Sequence, residues 1–236
     1  MARNQHGREK RAGELKRKMG RRPPYRRVLI ACEGAKTEPL YFNDIRRQNR
    51  IPSAHIHIVP ADGTDPARVV DFTERKFKET REWDLVYAVF DRDDHASYAR
   101  AIARATALDG RLFNDERKAV RFHAIPSVPC FELWLLLHYD DVQAFYHRAK
   151  IISYLRACIA GYEKGTPNVY AETEALLPVA VERAQRLVVR FQPLPGTDPY
   201  TRVHEVVELL RAIRAPDRLE HGRARGRRRS VVWPPP

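Results

Sequence analysis

Asp84-Leu85-Val86-Tyr87-Ala88-Val89-Phe90-Asp91-Arg92-Asp93-Asp94-His95 is the stretch on which the reading of this chain turns. Leu85 to Val89 is an unbroken apolar run, mostly β-branched or aromatic, which suits a strand covered on both faces of a parallel sheet. The run then ends in acid. Asp91, Asp93 and Asp94 fall where the backbone leaves the sheet, and open α/β sheets bind ligands at the carboxyl ends of their strands. Carboxylates packed this closely repel one another unless a hard, oxygen-seeking cation such as Mg²⁺ lies between them. The alternative is a solvated turn, with one aspartate capping the next helix.

Two further apolar runs frame this stretch. Upstream, Val28-Leu29-Ile30-Ala31-Cys32 reads as a first strand, followed by Glu33-Gly34. Glycine there permits positive φ and a close backbone approach to a ligand, so that Glu33 is presented at the same sheet edge as the aspartates. Thr37 is a candidate N-cap, with Pro39 just inside a helix that runs to about Gln48. His55-Ile56-His57-Ile58-Val59 reads as a second strand, whose two histidines share a face but lack a third metal ligand nearby. Asp62 to Pro66 turns into a helix with Val69, Val70, Phe72 and Phe77 as its inner stripe. Downstream, His95 to Leu108 reads as a helix stopped by Gly110. Ala119 to Ile125 reads as a fourth strand and Pro126 to Pro129 as a turn. Strands alternating with helices in this way predict an α/β fold, a parallel sheet with right-handed crossovers.

Cys130-Phe131-Glu132-Leu133-Trp134-Leu135-Leu136-Leu137-His138 is too apolar for an exposed helix and is expected against the end of the sheet. Glu132 is its anomaly, because a carboxylate between Phe131 and Trp134 is costly to bury without a cation or a donor. It either joins the acidic site or sits at a helix N-terminus, where the macrodipole favours it. From Asp141 onward the pattern is helical, over Val142 to Ala160, Asn168 to Arg190 and Thr201 to Ile213. This divides the chain into an α/β domain at 26–140 and a helical extension at 141–213 packed on it. Thr201, His204 and Glu205 either reach the site or cap the last helix.

Cys32, Cys130 and Cys158 have no paired spacing, which argues against a disulfide framework or a zinc site and for a reducing, cytoplasmic setting. No apolar run approaches the ~20 residues of a membrane-spanning helix. The formal charge of +13 is concentrated at the ends. Residues 1–27 carry eleven Lys/Arg against Glu9 and Glu14, and residues 214–236 carry seven Arg against Asp217 and Glu220, so the part between is close to neutral. Residues 1–25 read as a basic mobile arm and 214–236 as a basic tail ending in prolines. Such arms neutralise phosphates without reading sequence, or serve solubility alone. Arg21, Arg22, Arg227, Arg228 and Arg229 are the candidate nucleic-acid contacts in them, and Lys36 and Arg92 are the candidates beside the acidic residues.

Glu33 with Asp91 and Asp93 is the minimum set for divalent-metal phosphoryl chemistry. The aspartates hold Mg²⁺ or Mn²⁺, and Glu33 moves a proton or joins the coordination. Asp94 and Glu132 complete the candidate ligands. At these residues the chain resembles the Toprim fold of topoisomerases, bacterial primases and overcoming-lysogenization-defect (OLD) nucleases, and more closely the RloB family. The segments that carry the resemblance are Val28-Leu-Ile-Ala-Cys-Glu-Gly-Ala-Lys-Thr-Glu-Pro-Leu-Tyr-Phe42, Val89-Phe-Asp-Arg-Asp-Asp-His95, the Pro129 to His138 segment, and Asp198-Pro-Tyr-Thr-Arg-Val-His204. They span residues 26 to about 213. The chain departs from the family at Val128, where relatives have Asn or Ser, and at Ala35, where many have an acidic residue.

The resemblance implies a Toprim-like sheet flanked by helices and a metal-dependent nuclease acting on RNA or DNA. RloB-type proteins are associated with restriction and CRISPR-type defence loci beside an ATPase, which implies an RloA-like ATPase partner and an antiviral, abortive-infection role. Two other functions stay open. One is a non-catalytic adaptor whose helical half binds the ATPase. The other is a primase-like nucleotidyl transferase, which would need a phosphate-cradling glycine loop that the sequence does not show.

Overall fold

The computed structural model describes residues 26–191 and 198–213. In chain order the elements are β1 (Val28–Cys32), α1 (Thr37–Gln48), β2 (Ile56–Pro60), α2 (Pro66–Thr80), β3 (Leu85–Asp91), α3 (Tyr98–Leu108), β4 (Leu112–Phe113), β5 (Ala119–Val128), α4 (Glu132–Leu136), α5 (Arg148–Cys158), α6 (Val169–Thr173), a 3₁₀ turn (Glu174–Leu176), α7 (Leu177–Arg190), β6 (Tyr200–Thr201) and α8 (Val203–Ala212). The sheet order is β2-β1-β3-β5-β4, with β6 paired to β5. The strands β2, β1, β3 and β5 are mutually parallel, so their carboxyl ends share one edge. The short strands β4 and β6 join β5 antiparallel, at its start and its end respectively. The chain is therefore α/β, with a mostly parallel sheet flanked by helices and a helical C-terminal region.

Period-two alternation on fully buried strands builds two cores. Val28, Ile30 and Cys32 of β1 and Leu85, Tyr87 and Val89 of β3 face α1 and the helices that follow β5. Leu29, Val86, Ala88 and Phe90 face α2 and α3. Each large apolar side chain so buried contributes about 1.5–3 kcal/mol. The segment from Cys130 to Leu137 is wholly buried, and Trp134 Nε1 donates to the Tyr41 hydroxyl at 2.9 Å, tying α4 to α1. The extension has no core of its own. Ile151 and Leu155 of α5, Tyr170 of α6, Leu187 of α7 and Val206 of α8 belong to the same cluster as β1 and α1.

Several boundaries differ from those the sequence suggests. The fourth strand does not stop at Ile125; β5 continues through Pro126 and Ser127 to Val128. Among the described residues its outer edge is paired only at Ala119–Val120 and Ser127–Val128, so a proline at 126 is tolerated as on an edge strand. The third helix begins at Tyr98, because His95 to Ser97 form a turn pinned by the Ser97 hydroxyl, which donates to Asp65 at 2.6 Å. Of the expected helix Val142–Ala160, only Arg148–Cys158 is helical, leaving 142–147 as a loop. The expected helix Asn168–Arg190 is broken by a 3₁₀ turn ahead of Pro178. Thr201 belongs to β6, and the last helix begins at Val203.

Candidate functional site

The register of β1 against β3 brings Glu33 and Asp91 together. Cys32 lies opposite Val89, and the Glu33 N–H continues the ladder to the Val89 carbonyl at 2.9 Å. The Glu33 carboxylate then crosses to accept the backbone N–H of Asp91 at 2.7 Å. Asp91 is the last residue of β3, and its Oδ1 accepts the Phe131 N–H at 2.8 Å, fixing the chain just before α4. Beyond it the backbone reverses. Asp93 has φ +37°, a left-handed conformation that Asp tolerates better than most residues, and its N–H is held by the Pro129 carbonyl at 3.0 Å. The reversal separates Asp93 from Asp94, which is exposed on a neighbouring hollow and does not line the acidic cavity.

That cavity, about 470 Å³, is lined by Glu33, Glu38, Asp91, Asp93 and Glu132, with Lys36, Arg148 and Lys164 as its cations. Burial is the leading cause of the shifts within it. It raises Glu33 to about 8 and Asp91 well above the usual carboxylate range, and it raises Glu38 and Asp93 as well. Mutual repulsion among the carboxylates adds to burial at Asp91 and Glu33. Arg148 of α5 is the principal compensating charge. Its guanidinium pairs with Asp93 and lies 3.7 Å from Asp91, and these carboxylates outweigh the cost of burial and raise its own pKa. Glu132, at the start of α4, has one oxygen 3.6 Å from Lys164 Nζ, while the other is buried without a partner.

Glu38, Arg148, Lys164 and His95 were not among the residues the sequence singled out. Glu38 follows the candidate cap Thr37 and reads as an ordinary first-turn acid. In the fold it is buried, and its carboxyl fills the space where a side chain on residue 34 would lie. Gly34 therefore has a different role from the one expected: it makes room for Glu38 and has no positive φ. Arg148 and Lys164 arrive from the extension through tertiary packing alone. A nitrogen of His95 and one oxygen each of Glu33 and Asp93 lie within 4.8 Å of one another.

The remaining candidates are scattered. Lys36 lines the cavity, its stem packed over Gly165. Arg92 is held by Asp198 at 2.8 Å, so its guanidinium has a partner within the protein. Thr201 shares a hydrogen bond with Ser127 at 3.0 Å, His204 is buried and Glu205 pairs with Arg202; none of them lines the cavity. Arg21, Arg22, Arg227, Arg228 and Arg229 lie outside the described residues.

An oxygen-rich set with an unsatisfied buried carboxylate oxygen and only partial internal compensation fits a hard divalent cation. Sheet and cavity together define an α/β protein with an acidic pocket at the carboxyl edge of a parallel sheet. Within that class the chain belongs to the RloB-like protein family, whose family model matches residues 28–210. No match was found among curated proteins or solved structures. Among the described residues, no helix is long and apolar enough to cross a membrane.

Proposed function

We propose that this centre binds Mg²⁺ or Mn²⁺ and hydrolyses phosphodiester bonds of RNA or DNA. One observation carries the reading: five carboxylates converge on one cavity, and burial holds several of them away from their ionised form. Such an arrangement is costly unless something binds there. Asp91, Asp93 and Glu132 would hold the cation, Glu38 extends the set, and Glu33 stands beside them as the proton acceptor. His95 adds a nitrogen donor, which favours Mn²⁺ over Mg²⁺. Once bound, the cation supplies charge stabilisation at the phosphoryl group and acidifies water. Burial raises Glu33 to about 8 in the metal-free protein, and a cation beside it would favour the ionised form, which can accept a proton from attacking water. Arg148 and Lys164 place positive charge where the phosphate would come to lie.

An ATPase partner and an antiviral role belong to the same proposal, supported by the RloB resemblance, and a cytoplasmic setting is supported by the unpaired spacing of the cysteines. The test is incubation of the full-length protein with labelled tRNA, single-stranded DNA and duplex DNA in Mn²⁺, Mg²⁺ or EDTA. Cleavage with metal, none in EDTA and none by Asp91→Asn is the expected result. A wild-type protein that neither cleaves any of these nor shows a thermal shift with Mn²⁺ overturns the reading.

A further inference from the structure

We propose that the hollow on the far side of Asp93 and Arg148 is a platform for single-stranded nucleic acid, placed so that a strand held there runs into the acidic cavity. The proposal rests on reading that cavity as a phosphodiester-cleaving site. The hollow encloses about 390 Å³, within the range of small-molecule sites, and shares Asp93, His95 and Arg148 with the acidic cavity as a common wall. Its outer side carries Phe145, which is 53 % exposed. A large aromatic ring open to water beside a polar cleft gains most from a planar, apolar surface laid against it. Stacking of a base on such a ring is strong and indifferent to base identity.

The charge of the same segment points to the same occupant. From Val142 to Tyr162 the chain contains no Asp or Glu, but it contains Arg148, Lys150 and Arg156. Lys150 Nζ sits 4.0 Å from the Tyr146 ring centroid and 5.4 Å from that of Tyr154. The two rings meet edge to face at 5.5 Å, giving the ammonium a fixed aromatic seat. Among the described residues Lys150 forms an ion pair with no carboxylate, which leaves its charge available to a phosphate. His147 caps α5 by accepting the Ala149 N–H on Nδ1 at 3.3 Å, and the ring proton of the neutral form then lies on Nε2 as a donor. Phe145 and His147 thus line the hollow itself, where Asp93 and Asp94 are its carboxylates, and Lys150 with its two tyrosines belongs to the same segment of chain outside that lining. A duplex would offer this face its phosphates only, because its bases are already stacked on one another; a single strand offers both.

The test is fluorescence anisotropy of the full-length protein in EDTA with labelled oligo(U), oligo(dT) and a blunt DNA duplex as probes. Phe145→Ala is expected to weaken oligo(U) and oligo(dT) about tenfold, with duplex binding changed by less than about twofold because it rests on phosphates. Phe145→Trp should restore the single-strand affinity. Lys150→Ala should weaken all three probes and lower the salt slope by ~0.7 to 0.9. Wild-type binding of every probe by Phe145→Ala, or an equal loss on the duplex, overturns the platform. Binding in EDTA needs no cleavage, so the two readings fail separately. A protein that grips single strands through Phe145 and cuts nothing keeps the platform and loses the nuclease, whereas one that cuts while Phe145→Ala binds normally does the reverse.

Discussion

At the scale of single residues, Glu33 carries the sharpest expectations. It accepts the Asp91 N–H and stands raised to about 8, which suits proton transfer better than simple coordination. Glu33→Gln should keep Mn²⁺ affinity near that of the wild type and lose ~10²-fold or more in cleavage rate; equal rates for the two proteins would remove that role. The same shift has a consequence for stability in the metal-free protein. Glu33 and Asp91 hold protons more tightly folded than unfolded, where carboxyls titrate near ~4. Their contribution is therefore complete below that value and lost as pH rises through about 8 for Glu33. His138 and His204, whose pKa values burial lowers, act with opposite sign but below pH ~7. Melts in EDTA should thus fall as pH rises from about 7 to about 8, less steeply for Glu33→Gln, and Mn²⁺ should restore most of the loss at pH 8 by binding the ionised site. A flat profile in EDTA would mean that the carboxylates are already compensated from within. Gly34 is the third case. An added methyl overlaps the buried Glu38 carboxyl, so Gly34→Ala should cost about 1–3 kcal/mol of stability and weaken Mn²⁺ binding. Unchanged Mn²⁺ titrations for that variant would exclude Glu38 from the site.

At the scale of elements, the strands were legible and the way the extension folds onto the site was not. β1 and β3 announce themselves because a strand buried on both faces must be apolar without a break. The acids that follow such runs, Glu33, Asp91 and Asp93, are then placed by topology alone. Glu132 betrayed itself as a charge inside an apolar helix. Arg148 and Lys164 gave no such signal: they reach the cavity from 55 residues beyond Asp93 and from the loop after α5, by packing that no local pattern encodes. Strand β6 was equally hidden, since two residues, Tyr200 and Thr201, cannot display a period. The element that matters most is α5, which brings Arg148 against Asp91 and Asp93. A guanidinium there neutralises the carboxylates and competes with a divalent cation for them. Arg148→Met should therefore lower the EDTA melting point, at a cost of about 1–3 kcal/mol for the groups left unpaired, and tighten Mn²⁺ binding measured by calorimetry. Weaker Mn²⁺ binding in that variant would mean that Arg148 orders the site and does not compete for it.

At the scale of the whole molecule, the distribution of charge decides how a polyanion is met. Residues 1–27 and 214–236 hold most of the net +13, but the fold claims part of the first arm: the Arg27 guanidinium pairs with Glu82 at 2.5 Å, and its backbone N–H is bound by Asp84. The folded part is near neutral in total, with carboxylates gathered at the cavity and a segment from Val142 to Tyr162 that contains no Asp or Glu. The ends should therefore supply long-range attraction, and the face on the fold should supply short-range grip. Comparing the full chain with a 26–213 variant by anisotropy at several salt concentrations separates the two. Every phosphate that a cation no longer neutralises reduces the slope of log K against log salt by ~0.7 to 0.9, so the shortened chain should bind duplex and single strands more weakly and with a flatter slope. It should keep a preference for single strands over duplex, because Phe145 remains, and its cleavage rate at saturating substrate should match that of the full chain. A slope unchanged by the deletion would assign the whole electrostatic interaction to the face around α5. Loss of the single-strand preference would instead place recognition in the arms.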